Sequence, residues 1–401
     1  MFSRAIMATA VVSVLSIPLS AVTARAPGEA AGATPPSGVV AVSTGGLRVT
    51  PQSLAVTVEA GRRQQSAVQL TNVGGSAVRW WIADGEGAAS RPGRLGEVQR
   101  SWAVTGMAVG WGIGTESGNV WISDVDLLRN DSYTPDGIRR SEGWPTPWAN
   151  INPGPLDMAY VPSRSLMCQV KTGAENGIAC WDPRTGDVRA DIVGEFAWTA
   201  APQRGLAYRP DDDSFYVGGW DQGRIYHIRG LGNPRPGSVI SSCVPPDRAV
   251  AGLGWSAGFD RLWVATQSPR DLVYALDPDT CRTLATVAPP DADPSTGAGL
   301  DVGPDGSLWI MSAGVGAPPA TSGTASQIGS GLPVFATAPW LAAERSSGSL
   351  RPGGSLRIGI RVDATRLAPG RYEATLYVLS DEEQNCLTAV PVRLLVRPAP
   401  H

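Results

Sequence analysis

The chain has 401 residues, of which 17% are charged, and a formal net charge of −3; that length has room for two or three domains. Lys171 is its one lysine and no basic run occurs, which argues against a nucleic-acid partner. With 48 Gly, 34 Pro and 14 Trp, the composition favours many short strands and turns over long helices.

At the N-terminus, Arg4 precedes an apolar run over residues 5–19 and an Ala24-Arg25-Ala26 cleavage pattern. This reads as a signal peptide, residues 1–26, removed on export. The alternative is a membrane anchor, but the run is shorter than the ~20 residues a span needs, and no other segment qualifies. Residues 27–46 lack large apolar groups and are expected to be a disordered linker.

From Leu47 the pattern alternates. LRVTPQSLAVTVEAG and SAVQLTNVGGSAVRWWIA, over residues 47–83, read as four short strands broken at Pro51, Gly61 and Asn72-Val73-Gly74-Gly75. A matching series starts at Pro339-Trp340-Leu341 and runs to residue 397, with Leu356, Ile358, Ile360 and Val362 in strict alternation.

Between these segments a strand–turn–strand unit recurs. Its clearest copy is GLAYRPDDDSFYVGG at residues 205–219; Gly106, Asp157, Gly205, Gly252 and Gly299 mark five copies with steps of 51, 48, 47 and 47 residues. A period of ~40–50 residues made of short strands is the signature of a β-propeller. Two adjacent columns, Val120/Leu166/Phe215/Leu262/Leu308 and Trp121/Met167/Tyr216/Trp263/Trp309, are apolar or large, as expected of a sheet buried on both faces. Turns such as Asp182-Pro183-Arg184-Thr185-Gly186 and Asp277-Pro278-Asp279-Thr280 lead into third and fourth strands.

Residues 97–335 resemble YVTN/NHL-like propeller repeats through these turns. The flanks resemble the BACON family and its bacterial Ig-like relatives. The first flank carries Thr50-Pro51, Ser53-Leu54, Gly61 and the Asn72–Gly74 turn; the second carries the Pro339-Trp340-Leu341 opening and the VDATRLAPGRYEATLYV run, with Ile360 where the pattern has its first Val. The family runs directly from one flank into the other; here the repeats stand between Trp81 and Pro339. The expected fold is therefore all-β: a five-bladed propeller, residues 84–338, inserted into an Ig-like sandwich made of residues 47–83 and 339–397. Residues 97–104 are expected to complete the last blade. Six blades is the alternative, with a degenerate blade in residues 312–335.

Among the five cysteines, Cys168 and Cys180 flank one short turn, and Cys243 and Cys281 end strands of consecutive repeats. Two disulfides are expected in an exported chain, leaving Cys386 over. No spacing suggests zinc.

The loops before each first strand and after each second strand share one propeller face. They carry Trp144, Trp148, Trp198 and Trp220 with Asp124, Asp221 and Asp271, and are the expected ligand-binding surface; Phe196, Asp126 and Glu175 lie among them. The competing reading is that these Trp pack the blade ends. Trp121, Trp263 and Trp309 read as core. No catalytic residue is assigned. His227 sits within a strand, and Asp157 and Asp301, beside innermost strands, are the best carboxylate candidates. Asp211-Asp212-Asp213 reads as a solvated turn, and neither a metal nor a cofactor is expected. The expected function is non-enzymatic recognition of an extracellular glycan or protein. BACON resemblance implies the glycan class by analogy. The alternatives are a propeller lyase or glycoside hydrolase, or a cell-envelope scaffold.

Overall fold

The computed structural model describes residues 46–399, apart from 88, 91, 117, 150–153, 174, 268, 292–296, 314–321 and 382–386; the signal-peptide and linker expectations up to residue 45, and Cys386, fall outside it. The described residues all belong to one compact unit, Ser43–His401. They form strands, with two single-turn 3-10 helices.

Four strands come first among the described residues: β1 (Leu47–Thr50), β2 (Leu54–Glu59), β3 (Arg63–Asn72) and β4 (Val78–Glu86). A separate strand, β5 (Val98–Ala103), precedes four antiparallel four-strand meanders. The first is β6 (Gly110–Glu116), β7 (Asn119–Asp124), β8 (Arg129–Tyr133) and β9 (Arg139–Pro145). The second is β10 (Met158–Val161), β11 (Leu166–Lys171), β12 (Gly177–Trp181) and β13 (Val188–Val193). The third is β14 (Gly205–Arg209), β15 (Ser214–Gly219), β16 (Arg224–Arg229) and β17 (Val239–Cys243). The fourth is β18 (Val250–Ser256), β19 (Arg261–Thr266), β20 (Val273–Leu276) and β21 (Thr283–Val287).

A fifth sheet has three consecutive strands, β22 (Gly297–Val302), β23 (Leu308–Ala313) and β24 (Gly323–Ile328). Its fourth is β5, paired antiparallel with β24 through Ala325↔Trp102 and Ile328↔Val98. The segment expected from sequence to complete the last sheet thus pairs with it. The first strands β6, β10, β14, β18 and β22 are neighbours in turn, and β22 returns to β6, giving a β-propeller. Both large-residue columns are buried. The fourth strands face solvent, as the exposed β17 shows.

After the ring come β25 (Leu341–Ala343), β26 (Ser347–Leu350), β27 (Ser355–Asp363), β28 (Gly370–Ser380) and β29 (Leu387–Arg397). They interleave with the first four strands in two sheets, β1-β3-β27-β25 and β2-β29-β28-β4-β26. Alternation puts Leu54, Val56 and Val58 inward on β2, and Leu70, Trp80, Ile360, Leu376 and Val390 are fully enclosed between the sheets. The chain leaves and re-enters this unit side by side: Glu86 bridges Ala336, and Ser90 N–H donates to Val334 O at 2.9 Å.

The two-sheet unit and the ring share an apolar cluster in which Trp81, Phe335, Tyr377 and Leu379 meet Phe259, Trp263, Leu308 and Leu332. Arg261, almost wholly buried, lies 3.9 Å over the Trp81 ring and donates to Phe259 O at 2.7 Å. Both expected disulfides are present: Cys168–Cys180 between paired strands, and Cys243–Cys281 between consecutive sheets.

Candidate functional site

Five first strands converge on one axis, so the residues facing it must be small. A side chain at Gly112 would meet the main chain at Leu156, and one at Gly252 the main chain at Leu300. The space this leaves holds Asp157, fully buried. Its Oδ1 accepts from Ile113 N–H at 3.3 Å, and its Oδ2 from Leu206 N–H at 3.2 Å and Leu253 N–H at 2.9 Å. One carboxyl group therefore ties β6, β14 and β18 together. Burial drives its pKa well above the usual carboxylate range, against those three hydrogen bonds, and the nearby Asp301 adds to the rise. Asp157, one of two carboxylate candidates in the sequence, braces three strands without solvent contact.

Asp301 differs. It lies at the hairpin end of β22, where its Oδ2 accepts from Thr115 N–H at 2.7 Å and Thr115 Oγ1–H at 2.8 Å, joining the fifth sheet to the first. Burial pushes its pKa up to about 6. It also lines a cavity of ≈ 380 Å³ at this end of the ring, to which every sheet contributes. Tyr160, Tyr208 and Trp255 supply aromatic walls, Glu116 a second carboxylate. Thr115 and Pro304 also belong to an adjoining hollow of ≈ 210 Å³ running outward past Asn119, Trp309 and Gln327.

Trp255 is held in place from behind. Tyr216 stacks on it with centroids 5.4 Å apart, His227 stacks on Tyr216 at 4.4 Å, and the Arg209 guanidinium lies 5.1 Å over the indole. Its Nε1–H has no acceptor among the described residues. Tyr208 is oriented by an Oη–H donated to Asp213 Oδ1 at 3.1 Å.

Behind this wall, Ser214 Oγ sits 2.7 Å from His227 Nε2 and 2.5 Å from Asp212 Oδ1, while Asp212 Oδ2 is 3.8 Å from the same ring nitrogen. A catalytic triad needs the acid on the other nitrogen and an accessible hydroxyl. Ser214 is fully buried, so the group is structural. Burial lowers the His227 pKa, which keeps the ring neutral in that stack. No cluster of three metal-ligating side chains occurs among the described residues.

The residues expected at the loop-face ligand site fall in different surroundings. Trp198 is fully buried, stacks on Phe196 at 5.9 Å and donates Nε1–H to Gly237 O at 2.8 Å. Asp124 is fully buried and caps a turn by accepting from the N–H groups of Ala108 at 2.6 Å, Asp126 at 3.1 Å and Leu127 at 2.9 Å. Asp271 is buried as well. Trp144 braces the next sheet by donating to Pro183 O at 3.0 Å, as Trp102 does to Pro135 O at 3.2 Å. These four are packing residues. Trp148 is half-buried against Trp181, Asp221 is exposed, and Trp220 is half-buried beside two residues the sequence reading missed, Trp111 and Arg204.

The cavity aromatics were also missed. A signal was present: Tyr160, Tyr208 and Trp255 stand three residues beyond the repeat markers Asp157, Gly205 and Gly252. Residues closing a first strand read as ordinary sheet, and only ring closure turns them toward one space.

Comparison with known proteins places residues 334–390 in register with the family model of the Viral BACON domain, over the second part of the two-sheet unit. No curated protein matches the chain. Among solved structures, a gluconolactonase from Xanthomonas campestris is 13% identical, over 68% of this chain and 96% of its own, with a TM-score of 0.39. A glucose-dehydrogenase-type oxidoreductase from Thermus thermophilus is 13% identical, over 57% and 99%, at 0.36. A PapD-like domain of human CEP192 is 8% identical, over 88% and 87%, at 0.24. BACON is thus the likeness that sequence comparison attaches to a definite part of the chain.

Proposed function

We propose that this is an exported, non-enzymatic binding protein that takes a glycan in the aromatic cavity at the hairpin end of a five-bladed propeller. That propeller, residues 84–338, is an insertion in an Ig-like, BACON-like sandwich made of residues 47–83 and 339–397. The observation carrying this reading is the ≈ 380 Å³ cavity, where Tyr160, Tyr208 and Trp255 surround Asp301 and Glu116. Aromatic faces pack against the C–H faces of a sugar ring, and the carboxyl oxygens accept from its hydroxyls. The site is pre-formed: Trp255 and Tyr208 are fixed by their own stacking and hydrogen bonding, so little side-chain entropy is lost on binding. Export is supported by the N-terminal pattern and by two disulfides.

One observation favours a second reading, a glycoside hydrolase: Asp301, at about 6, has the pKa of a general acid and shares its cavity with Glu116. A glycan array with residues 27–401 tests both. Binding is expected to fall tenfold or more in Trp255→Ala, since the loss of an aromatic contact of about 1.4 kcal/mol or more has that effect. Trp148→Ala is expected to bind as the parent does, and Trp220→Ala to bind neutral glycans as the parent does. Release of new reducing ends from a bound glycan, abolished in Asp301→Asn, would replace the binding reading by the hydrolase. Loss of binding in Trp220→Ala with Trp255→Ala unaffected would return the glycan to the loop face.

A further inference from the structure

The loop-face mouth of the ring carries a group that the proposed glycan cavity leaves unexplained. Arg204 stands immediately before β14, Trp111 is the second residue of β6, and Trp220 follows β15 directly, so all three sit at the end of the sheets opposite the cavity. The Arg204 guanidinium lies 3.6 Å from the Trp220 ring centroid and 5.8 Å from that of Trp111, whose rings are 5.8 Å apart. The Trp220 indole thus covers one face of the guanidinium, and Trp111 flanks the pair. Stacking of this kind occupies a face of the group and leaves its in-plane N–H edge for an acceptor.

Among the described residues that edge meets no acceptor. The Arg204 side chain makes no ion pair or hydrogen bond among the described residues, and Arg204 Nε, Trp111 Nε1 and Trp220 Nε1 are all buried without a partner. Those three atoms are closed off, whereas the Arg204 Nη amines, also without a partner among the described residues, reach solvent and are open to an acceptor from outside. Asp221, exposed nearby, attracts the guanidinium without pairing to it, and burial lowers the Arg204 pKa, the sign of a charge left partly desolvated and uncompensated. The half-buried side chain still meets solvent.

We propose that Arg204, Trp111 and Trp220 form a second ligand site, which takes the carboxylate of a sugar acid. The guanidinium edge matches a planar carboxylate bidentately, and the indoles supply apolar walls for the ring that bears it. A monoanion fits better than a phosphate or sulfate dianion, because the exposed Asp221 adds a negative charge close by.

The site is independent of the hairpin-end cavity, and its test is separate. Binding of D-glucuronate is followed by calorimetry with residues 27–401, against D-glucose and acetate, with folding of each variant checked by circular dichroism. Glucuronate is expected to bind at least tenfold more tightly than either control, to weaken about tenfold in Arg204→Lys, which keeps the charge but loses the fork, and to be lost in Arg204→Met. Trp255→Ala is expected to leave it unchanged. Should Arg204→Met fail to fold, Arg204→Lys decides. Glucose binding as well as glucuronate, or Arg204→Lys binding like the parent, overturns the site. Acetate equalling glucuronate overturns the sugar-acid assignment and leaves a plain anion hole. Binding lost in Trp255→Ala alone places the sugar acid in the other cavity and also overturns the proposal.

Discussion

The two-sheet unit and the propeller ring bury their interiors by opposite chemistry. Between the two sheets lie Leu70, Trp80, Ile360, Leu376 and Val390, an apolar core assembled from segments far apart in the chain. At the centre of the ring lie Asp157 and Asp301, carboxyl groups whose pKa burial raises. An apolar core stabilises through area alone. A buried carboxyl group costs stability unless its oxygens are used, and here they are used to join strands that cannot hydrogen-bond to each other directly. A ring of separate sheets needs such crosslinks; a sandwich with interdigitated side chains does not.

Removing the axial carboxyl is the severest test of that contrast. Asp157→Ala strips the acceptor from three main-chain N–H groups on three strands, and is expected to cost about 3–5 kcal/mol in urea unfolding, with Asp157→Asn costing less. A neutral Asp157→Ala would show that the strands hold their spacing without it. In the sandwich, Leu376→Ala is expected to cost about 2–5 kcal/mol through a cavity. Both variants should still melt in a single transition, because the Trp81–Phe335–Tyr377 cluster joins the regions; two separated transitions in calorimetry would contradict a shared core.

Next in size, Cys243→Ser with Cys281→Ser is expected to lower stability by about 3 kcal/mol, since it unfastens two neighbouring sheets. Two carboxyl groups, one in each region, respond to pH with opposite sign. Asp301 has a folded pKa above its unfolded one, so the folded state holds the proton more tightly, and stability falls as pH rises from about 4 to about 6. The expected loss is up to about 3 kcal/mol, from a rise of roughly two units. Asp301→Asn should flatten that slope. Asp363, on the sandwich, is held down to about 2 by Thr365 and Arg63, so its contribution is lost instead as pH falls below about 4. The smallest effect is expected at Trp144→Phe, which deletes one hydrogen bond to Pro183 O for about 1 kcal/mol.

The repeat period, the turn chemistry, the closing strand and both disulfides were legible in the sequence, because each rests on local spacing. The hairpin-end cavity was not. Tyr160, Tyr208 and Trp255 come from three repeats and acquire a common purpose only when the sheets circle an axis. Trp198 and Asp124 show the complementary case: a loop position predicts exposure, but both side chains are buried and bonded to backbone groups. Arg204 was passed over because one arginine among many has no local mark; its lack of a partner exists only in three dimensions.

The most direct check is a crystal of residues 27–401 grown with the tightest glycan from the array. A sugar ring resting on Trp255, with hydroxyls on Asp301 or Glu116, is the predicted result. A glycan seated only among the loops at the opposite mouth, with the hairpin-end cavity holding water alone, would contradict it.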